Sequence, residues 1–421
     1  MKTSAKDKKK LESIFMRVIE VNSVKDMREI NSKVKRFLDY IKERINKKKV
    51  KADVVVGGSL AKGTIIKGGF DCDIFVRFDS KIYKDANISN ILKEMLDNKK
   101  TKMLHGSRNY FQIHEEDINY EIVPVLKVKR CSDGLNVTDS SPLHVKWILE
   151  KIKQYKSKKI DLRKEIILAK VFCKANDVYG AESYIRGFSG HVIDILIAYY
   201  GGFVKLLEGS QKWREGDIID IEKHNKVENQ SKLVSPLIVV DPIHDERNAA
   251  ASLSKEKFDL FKKKARTFLE NPDFEFFVKE EKRLEDLLKE KDIVVLKIIL
   301  AKNKEDIMGA RIVKILEHLE NNLREYGVKD TGYIWDKSTV AYGYIKYQNE
   351  KISDTFEREG PPKNAKEHFD RFVKKHTDYI LKKGRAYATV RRDIFDIREE
   401  IREILKHDNI VERVKSIEVV D

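Results

Sequence analysis

The sequence predicts a multidomain α+β protein. A mixed block of short strands and amphipathic helices gives way to a helical block, and then to alternating strands and helices. The chain's 421 residues exceed what one core holds, at roughly 100–200 residues per domain. The pattern shifts predict three domains, residues 1–130, 131–255 and 256–421.

In the first block, Leu11, Ile14, Phe15, Val18 and Ile19, then Ile30, Val34, Phe37, Leu38 and Ile41, recur at helical spacing within residues 7–48, so two amphipathic helices are expected. Strand signals follow at 53–57, 70–78 and 118–128, and "ISNILKEMLDNK" (88–99) reads as a helix between them. The second block carries helical patterns at 143–155, at 161–176 with Asp161 as N-cap, and at 191–207, before a β-rich piece at 235–254. A helix from 254 to 271 opens the third block, where "DIVVLKIILA", "YIWDKSTVAYGYIKY", "RAYATVRR" and "DIFDIREEIREILKH" alternate in period. No internal repeat or low-complexity tract interrupts this order.

Composition narrows the partners. The net charge of +16 favours a polyanion such as nucleic acid, although a lysine-rich surface is also what heat adaptation through ion pairs produces. Residues 257–421 hold 36 Lys and Arg against 33 Asp and Glu, so most of the surplus lies before them. Cys72, Cys131 and Cys173 form no C-x-x-C pair, so neither a disulfide framework nor a zinc site is expected, and a reducing compartment suits the chain. The basic N-terminus lacks an apolar signal core and no run spans a membrane, so a cytoplasmic protein without a membrane partner is expected.

The chemistry-bearing stretch is "VVVGGSLAKGTIIKGGFDCDIFVRF", 54–78. Strand alternation puts Asp71 and Asp73 on one face, with Cys72 and Ile74 turned to the core. Two like charges this close call for cations, and an all-oxygen site suits Mg²⁺. A pair of such ions serves in-line phosphoryl displacement, and Glu121, an acid in the apolar strand "INYEIVPVLKV", is the candidate third ligand. Gly57 and Gly58 let the backbone approach a triphosphate, Ser59 can donate to it, and Lys62 lies one turn on. Arg163, Lys170 and Lys174 fall on one helix stripe facing the same way.

The order of strand, G-S turn, short helix, D-x-D strand and acidic strand resembles the polymerase-β-like nucleotidyltransferase superfamily. "SSPLHVKW" (140–147), "AKVFCKANDVYGAESYIRGFSGH" (169–191) and "VVDPIHDERNAAASLS" (239–254) are similar to the class I, archaeal-type CCA-adding enzymes, the tRNA nucleotidyltransferases. Weaker similarity continues through "EREGPP" (357–362) and 368–393. The resemblance implies a nucleotidyltransferase head, a helical neck, an α/β body and an RNA-binding tail. It implies that Asp71, Asp73 and Glu121 are the catalytic and metal-binding carboxylates, with Glu121 where the family generally has Asp. By the same resemblance Gly58, Ser59, Lys62, Ser141, His144, Lys170, Tyr179 and Arg247 bind the nucleotide, Arg247 helping to read its base. Taken alone, His144 reads first as a packed or surface histidine, Tyr179 as a core or capping residue, and Arg247 as the partner of Asp245 or Glu246.

Residues 371–392 carry eight Lys and Arg against one acid, interleaved with His376, Tyr379 and Tyr387, a pattern suited to RNA backbone and bases. Lys374, Lys375, Lys382, Lys383, Arg385, Arg391 and Arg392 are the candidate tRNA contacts. The resemblance implies that this tail grips the outer arm of tRNA while the 3′ end reaches the catalytic cleft. The expected activity is template-independent addition of C, C and A from CTP and ATP to tRNA lacking part or all of its CCA, using Mg²⁺ and releasing pyrophosphate. The alternatives are an ATP-specific enzyme of poly(A) polymerase or oligoadenylate synthase type, and an inactive RNA-binding homologue. Oligomeric state is not encoded legibly, and a homodimer stays open.

Overall fold

The computed structural model describes residues 5–24, 26–68, 71–96, 99–106, 108–224 and 235–420. The chain divides into two compact units, Met1–Glu280 and Glu281–Asp421.

The first unit opens with α1 (Ala5–Asn22) and α2 (Met27–Lys47), the two expected amphipathic helices. Its sheet consists of β1 (Ala52–Val56), β2 (Asp71–Asp79), β3 (Lys102–His105), β4 (Asn109–Glu115) and β5 (Ile118–Lys127), in the order β1-β2-β5-β4-β3. Short helices α3 (Gly58–Lys62), α4 (Ser80–Tyr83) and α5 (Ile88–Met95) fill the connections. Residue 70 of the strand expected over 70–78, and residues 97 and 98 of the helix expected over 88–99, lie outside the described residues. The β3–β4 hairpin escaped the sequence reading because β3 is mostly exposed and shows no apolar alternation.

β2 and β5 run parallel, whereas their outer neighbours are antiparallel. Cys72, Ile74, Val76 and Phe78 of β2 join Tyr120 and Ile122 of β5 in a core shared with Val34, Phe37 and Ile41 of α2. Phe37 stacks on Tyr120 at 3.9 Å between ring centroids. Each such side chain contributes roughly 1.5–3 kcal/mol on burial. A one-residue slip of β2 would drive Asp71 and Asp73 into this core, so hydrophobic burial also fixes which face bears the acids.

The helical part comprises α6 (Ser141–Ser157), α7 (Leu162–Ala175), α8 (Gly190–Tyr200) and α9 (Phe203–Ser210), then β6 (Asp217–Ile219), β7 (Leu237–Asp241), β8 (His244–Asn248) and α10 (Lys255–Glu270). The helical run expected over 191–207 breaks at Gly201 and Gly202, whose φ values of 77° and 149° end α8 and start α9. Phe258, Phe261 and Phe268 of α10 share the core of Phe172, Phe188 and Phe203. That burial carries the first compact unit through Glu280, beyond the start at residue 256 expected for the third block. Among the described residues no single helix is long and apolar enough to cross a membrane.

In the second unit α11 (Leu284–Leu287), β9 (Ile293–Ile299), α12 (Glu305–Asn322), β10 (Asp330–Trp335) and β11 (Val340–Lys346) precede β12 (Thr355–Pro362) and α13 (Lys366–Lys375). β13 (Ile380–Lys382), β14 (Arg385–Arg391), α14 (Ile397–Ile404), α15 (Asp408–Val411) and β15 (Ser416–Val420) complete it. Two sheets result, β10-β11-β9-β15 and β12-β14-β13. Ile312, Ile315 and Leu319 of α12 with Ile397 and Ile401 of α14 cover the first sheet.

Candidate active site

The parallel register sets Asp73 beside Glu121 and Asp71 beside Asn119, so the three acids lie together on the face opposite the α2 core. Asn119 Nδ2 donates to Asp71 Oδ1 at 2.5 Å and Gln112 Nε2 to Glu121 Oε1 at 3.3 Å. Among the described residues none of the three acids forms an ion pair. Burial, with the charge of Asp71 added to it, pushes the Asp73 carboxyl up to about 6. Burial, then the charges of Asp71 and Asp73, push Glu121 up to about 7. Lys62 and Lys170 offset the Asp73 charge only in part, and acids crowded together with only oxygen donors are what a hard divalent cation requires, so the residues present fit Mg²⁺.

The glycines of the turn are needed for contact with this site. A Cβ on Gly58 would lie 1.6 Å from Asp73 Oδ2, and its φ of +53° is left-handed. Gly57 N–H donates to Asp73 O at 2.7 Å, holding the turn to β2. Ser59 lies in the first turn of α3, and its carbonyl accepts from Thr64 N–H at 2.9 Å. Lys62, expected at the phosphates, instead places Nζ 2.6 Å from Asp194 Oδ2 of α8. Both groups are largely buried, and removing one partner of such a pair costs about 3–5 kcal/mol. Arg163 donates from Nε to Lys62 O at 2.9 Å, and Lys170 donates from Nζ to Thr64 Oγ1 at 3.0 Å. Burial pushes the Lys170 ammonium down to about 8. Lys174 Nζ lies 5.2 Å from the centre of the Tyr179 ring. The basic stripe thus divides: Arg163 and Lys170 brace the segment leaving α3, and Lys174 sits on an aromatic face.

Ser141 starts α6 behind a buried anchor. Asp139 accepts from Arg108, from Leu126 N–H at 2.8 Å and from Leu135 N–H at 3.0 Å, tying the α6 approach to the end of β5. One turn into α6, His144 Nε2 meets both oxygens of Asp241 at 2.9 Å. Arg247 Nη1 donates from β8 to Asp241 Oδ2 of β7 at 2.7 Å, an acid other than its sequence neighbours Asp245 and Glu246. His191 from the start of α8 brings Nε2 to 3.6 Å from the same oxygen, with its ring centroid 4.2 Å from that of His144. Burial opposes ionisation of Asp241, but the hydrogen bond from His144 and the neighbouring His191 hold it far below the carboxylate range. Burial lowers the His144 pKa, with Asp241 opposing.

The sequence reading brought His144 and Arg247 to this place but missed Asp241, His191 and Asp194. Asp194 had a signal: a lone acid in the apolar run "HVIDILIAYY" needs a cation. Nothing local pairs His191 with His144, because they come from different helices.

The tail is less basic than its local sequence suggests. β12 runs antiparallel to β14 and brings Glu357 and Glu359 to the β13–β14 hairpin, while Asp354 and Glu325 come from outside β12. Glu357 meets Lys382 at 2.5 Å, Glu359 meets Arg385 at 2.9 Å, Asp354 meets Arg391 at 3.9 Å, and Glu325 pairs with Arg392. Lys374, Lys375 and Lys383 are exposed.

Residues 34–169 match the family model described as nucleotidyltransferase domain, and 164–278 that described as tRNA nucleotidyltransferase, second domain. A CCA-adding enzyme of Nanoarchaeum equitans is 35% identical over 393 residues, covering 88% of this chain and 93% of the relative. One from Methanocaldococcus jannaschii is 29% identical over 402 residues, covering 91% and 88%. A solved Cid1 poly(U) polymerase structure aligns with a TM-score of 0.50 at 14% identity, covering 65% of this chain and 99% of its own, which is a likeness of fold.

Proposed function

The chain belongs to the family of CCA-adding enzymes, and from that premise we propose that it adds C, C and A in turn to the 3′ end of tRNA, taking them from CTP and ATP. The observation that carries this reading is the register of β2 against β5, which gives Asp71 and Asp73 a third acid at Glu121. Asp71, Asp73 and Glu121 would hold two Mg²⁺ ions. When bound, Mg²⁺ supplies Lewis acidity toward the attacking tRNA 3′-hydroxyl and the leaving pyrophosphate.

The chain's own residues orient the reaction. Gly58 leaves the backbone open above Asp73, so the triphosphate can come close to the acids, with Ser59 and Ser141 donating to it. Lys170, deep in the wall, supplies positive charge toward the triphosphate, while Lys62 acts through its ion pair with Asp194 by holding α3 against α8. The 3′-hydroxyl oxygen bonds to the α-phosphorus as the bond to pyrophosphate breaks, and the hydroxyl proton passes to solvent water. His144 and Tyr179 line the nucleotide site, and Arg247, aimed by Asp241, reads the base. Lys374, Lys375 and Lys383 contact tRNA backbone, whose A-form shape is recognised without a base code. A homodimer is compatible with this scheme and not required by it.

The test supplies tRNA ending at the discriminator base, at C or at CC, with Mg²⁺ and each labelled nucleotide singly and together. Addition that stops after CCA supports the reading. An ATP-only ladder indicates a poly(A)-type enzyme, and absence of incorporation with either Mg²⁺ or Mn²⁺ indicates an RNA-binding homologue.

A further inference from the structure

The Asp241 cluster has a composition unlike that of the carboxylate face. His144, His191 and Asp241 each offer one ligand atom, and these atoms all lie within 4.8 Å of one another. They come from α6, α8 and β7, so the folded core holds them in place. Two observations point to an occupant. His191 Nε2 is buried and, among the described residues, has no hydrogen-bond partner, while it faces Asp241 Oδ2 from 3.6 Å. An unsatisfied buried polar nitrogen costs roughly 1–3 kcal/mol, which a ligand would relieve. Second, Arg247 Nη1 takes only Oδ2 of Asp241, whereas Oδ1 accepts from Ile243 N–H at 3.1 Å and His144 Nε2 lies 2.9 Å from both oxygens. Oδ1 can therefore serve a cation while Arg247 remains on Oδ2 as an outer partner that orients the carboxylate.

We propose that His144 Nε2, His191 Nε2 and Asp241 Oδ1 form a binding site for a borderline transition-metal ion of the zinc class, separate from the Mg²⁺ site. The donor sets separate the two. Three carboxylates suit a hard ion with oxygen ligands, whereas two imidazoles and one carboxylate suit zinc, with a fourth position open to water. Side-chain exposures of 13% for His144 and 24% for His191 leave an approach from solvent.

The test is equilibrium dialysis of the full chain against Zn²⁺ with Mg²⁺ in large excess, followed by metal quantification. The wild type and Asp73→Asn should each retain one Zn²⁺ per chain. His191→Ala and His144→Ala should retain none, because losing a ligand weakens binding by more than the roughly 10–100-fold that losing an outer partner costs. His191→Phe preserves ring volume without the ligand nitrogen, and circular dichroism verifies that each variant is folded. Zinc absent from the wild type overturns the proposal. So does zinc that survives in folded His191→Phe, or zinc lost in Asp73→Asn, which would place the ion on the carboxylates. The readout is metal content, so it stands or falls independently of CCA addition.

Discussion

The carboxylate face of β2 and β5 and the cluster around Asp241 both collect charged groups from distant parts of the first unit, but they settle their charge in opposite ways. Asp71, Asp73 and Glu121 share a face with no ion pair among the described residues, and two of them are driven up to about 6 and 7. Asp241 is wholly buried, yet a guanidinium and an imidazole hydrogen-bond to it and it stays strongly acidic. Arg247 balances the Asp241 charge and holds that carboxylate in place, leaving the two imidazoles to the proposed zinc-class ion. The three acids are offset only partly, by Lys62 acting through space, and their excess negative charge calls for a hard cation.

The most severe way to break this contrast is at Asp73. Asp73→Asn should reduce nucleotide incorporation by on the order of 10³-fold or more, about 4 kcal/mol of barrier, while filter binding of tRNA persists. Incorporation at the native rate would sink the metal assignment. Glu121→Gln should lose a similar amount, and Glu121→Asp, with its shorter reach, should keep part of the activity.

Gly58→Ala comes next. Its methyl group must displace the Asp73 carboxylate or unwind the turn, so a loss of about 10²-fold in turnover is expected at a left-handed position that also disfavours alanine. Native turnover in this variant would mean that the turn gives way freely and that its closeness to Asp73 is incidental.

Stability should report the same buried, mutually repelling charge. A carboxyl with a higher pKa in the fold than in the unfolded chain binds its proton more tightly when folded. The penalty from Asp73 and Glu121 is therefore full above about 7 and is relieved as the pH falls through about 7 and 6 toward their ordinary values. With chelator present, the melting temperature of the wild type should gain a few degrees, relative to the Asp73→Asn/Glu121→Gln double variant, between pH 8 and pH 6. Mg²⁺ at pH 8 should produce the same gain, and parallel profiles for the two proteins would exclude the effect.

Asp241→Asn should act more mildly, by loosening Arg247. A change of about tenfold in the ratio of kcat/KM for CTP and ATP is expected, equivalent to about 1.4 kcal/mol. An unchanged ratio would remove Arg247 from base reading. The smallest effects belong to the tail. Lys374→Ala and Lys375→Ala should each weaken tRNA binding and shallow its salt dependence by about one unit of slope. Arg385→Ala, whose guanidinium already faces Glu359, should do less.

Much of the site was legible because it is written in local periods. Strand alternation alone put Asp71 and Asp73 together, and the Gly-Gly-Ser turn stood directly before them. The same local reading has a limit in the tail: a count along 371–392 cannot see Glu357 and Glu359, which reach it only through strand pairing. The Asp194 partner of Lys62 was out of sight because it lies on another helix, 132 residues away.

Residue type and spacing alone determined which side of β2 is acidic, where the glycine turn lies and which helices are amphipathic, since each depends on neighbours a few residues away. The tertiary structure decided that Glu121 stands beside Asp73, that Lys62 belongs to Asp194, and that two histidines and an arginine converge on Asp241. Those outcomes follow from parallel strand register and helix packing, which the hydrophobic cores set by burying residues far apart in the chain.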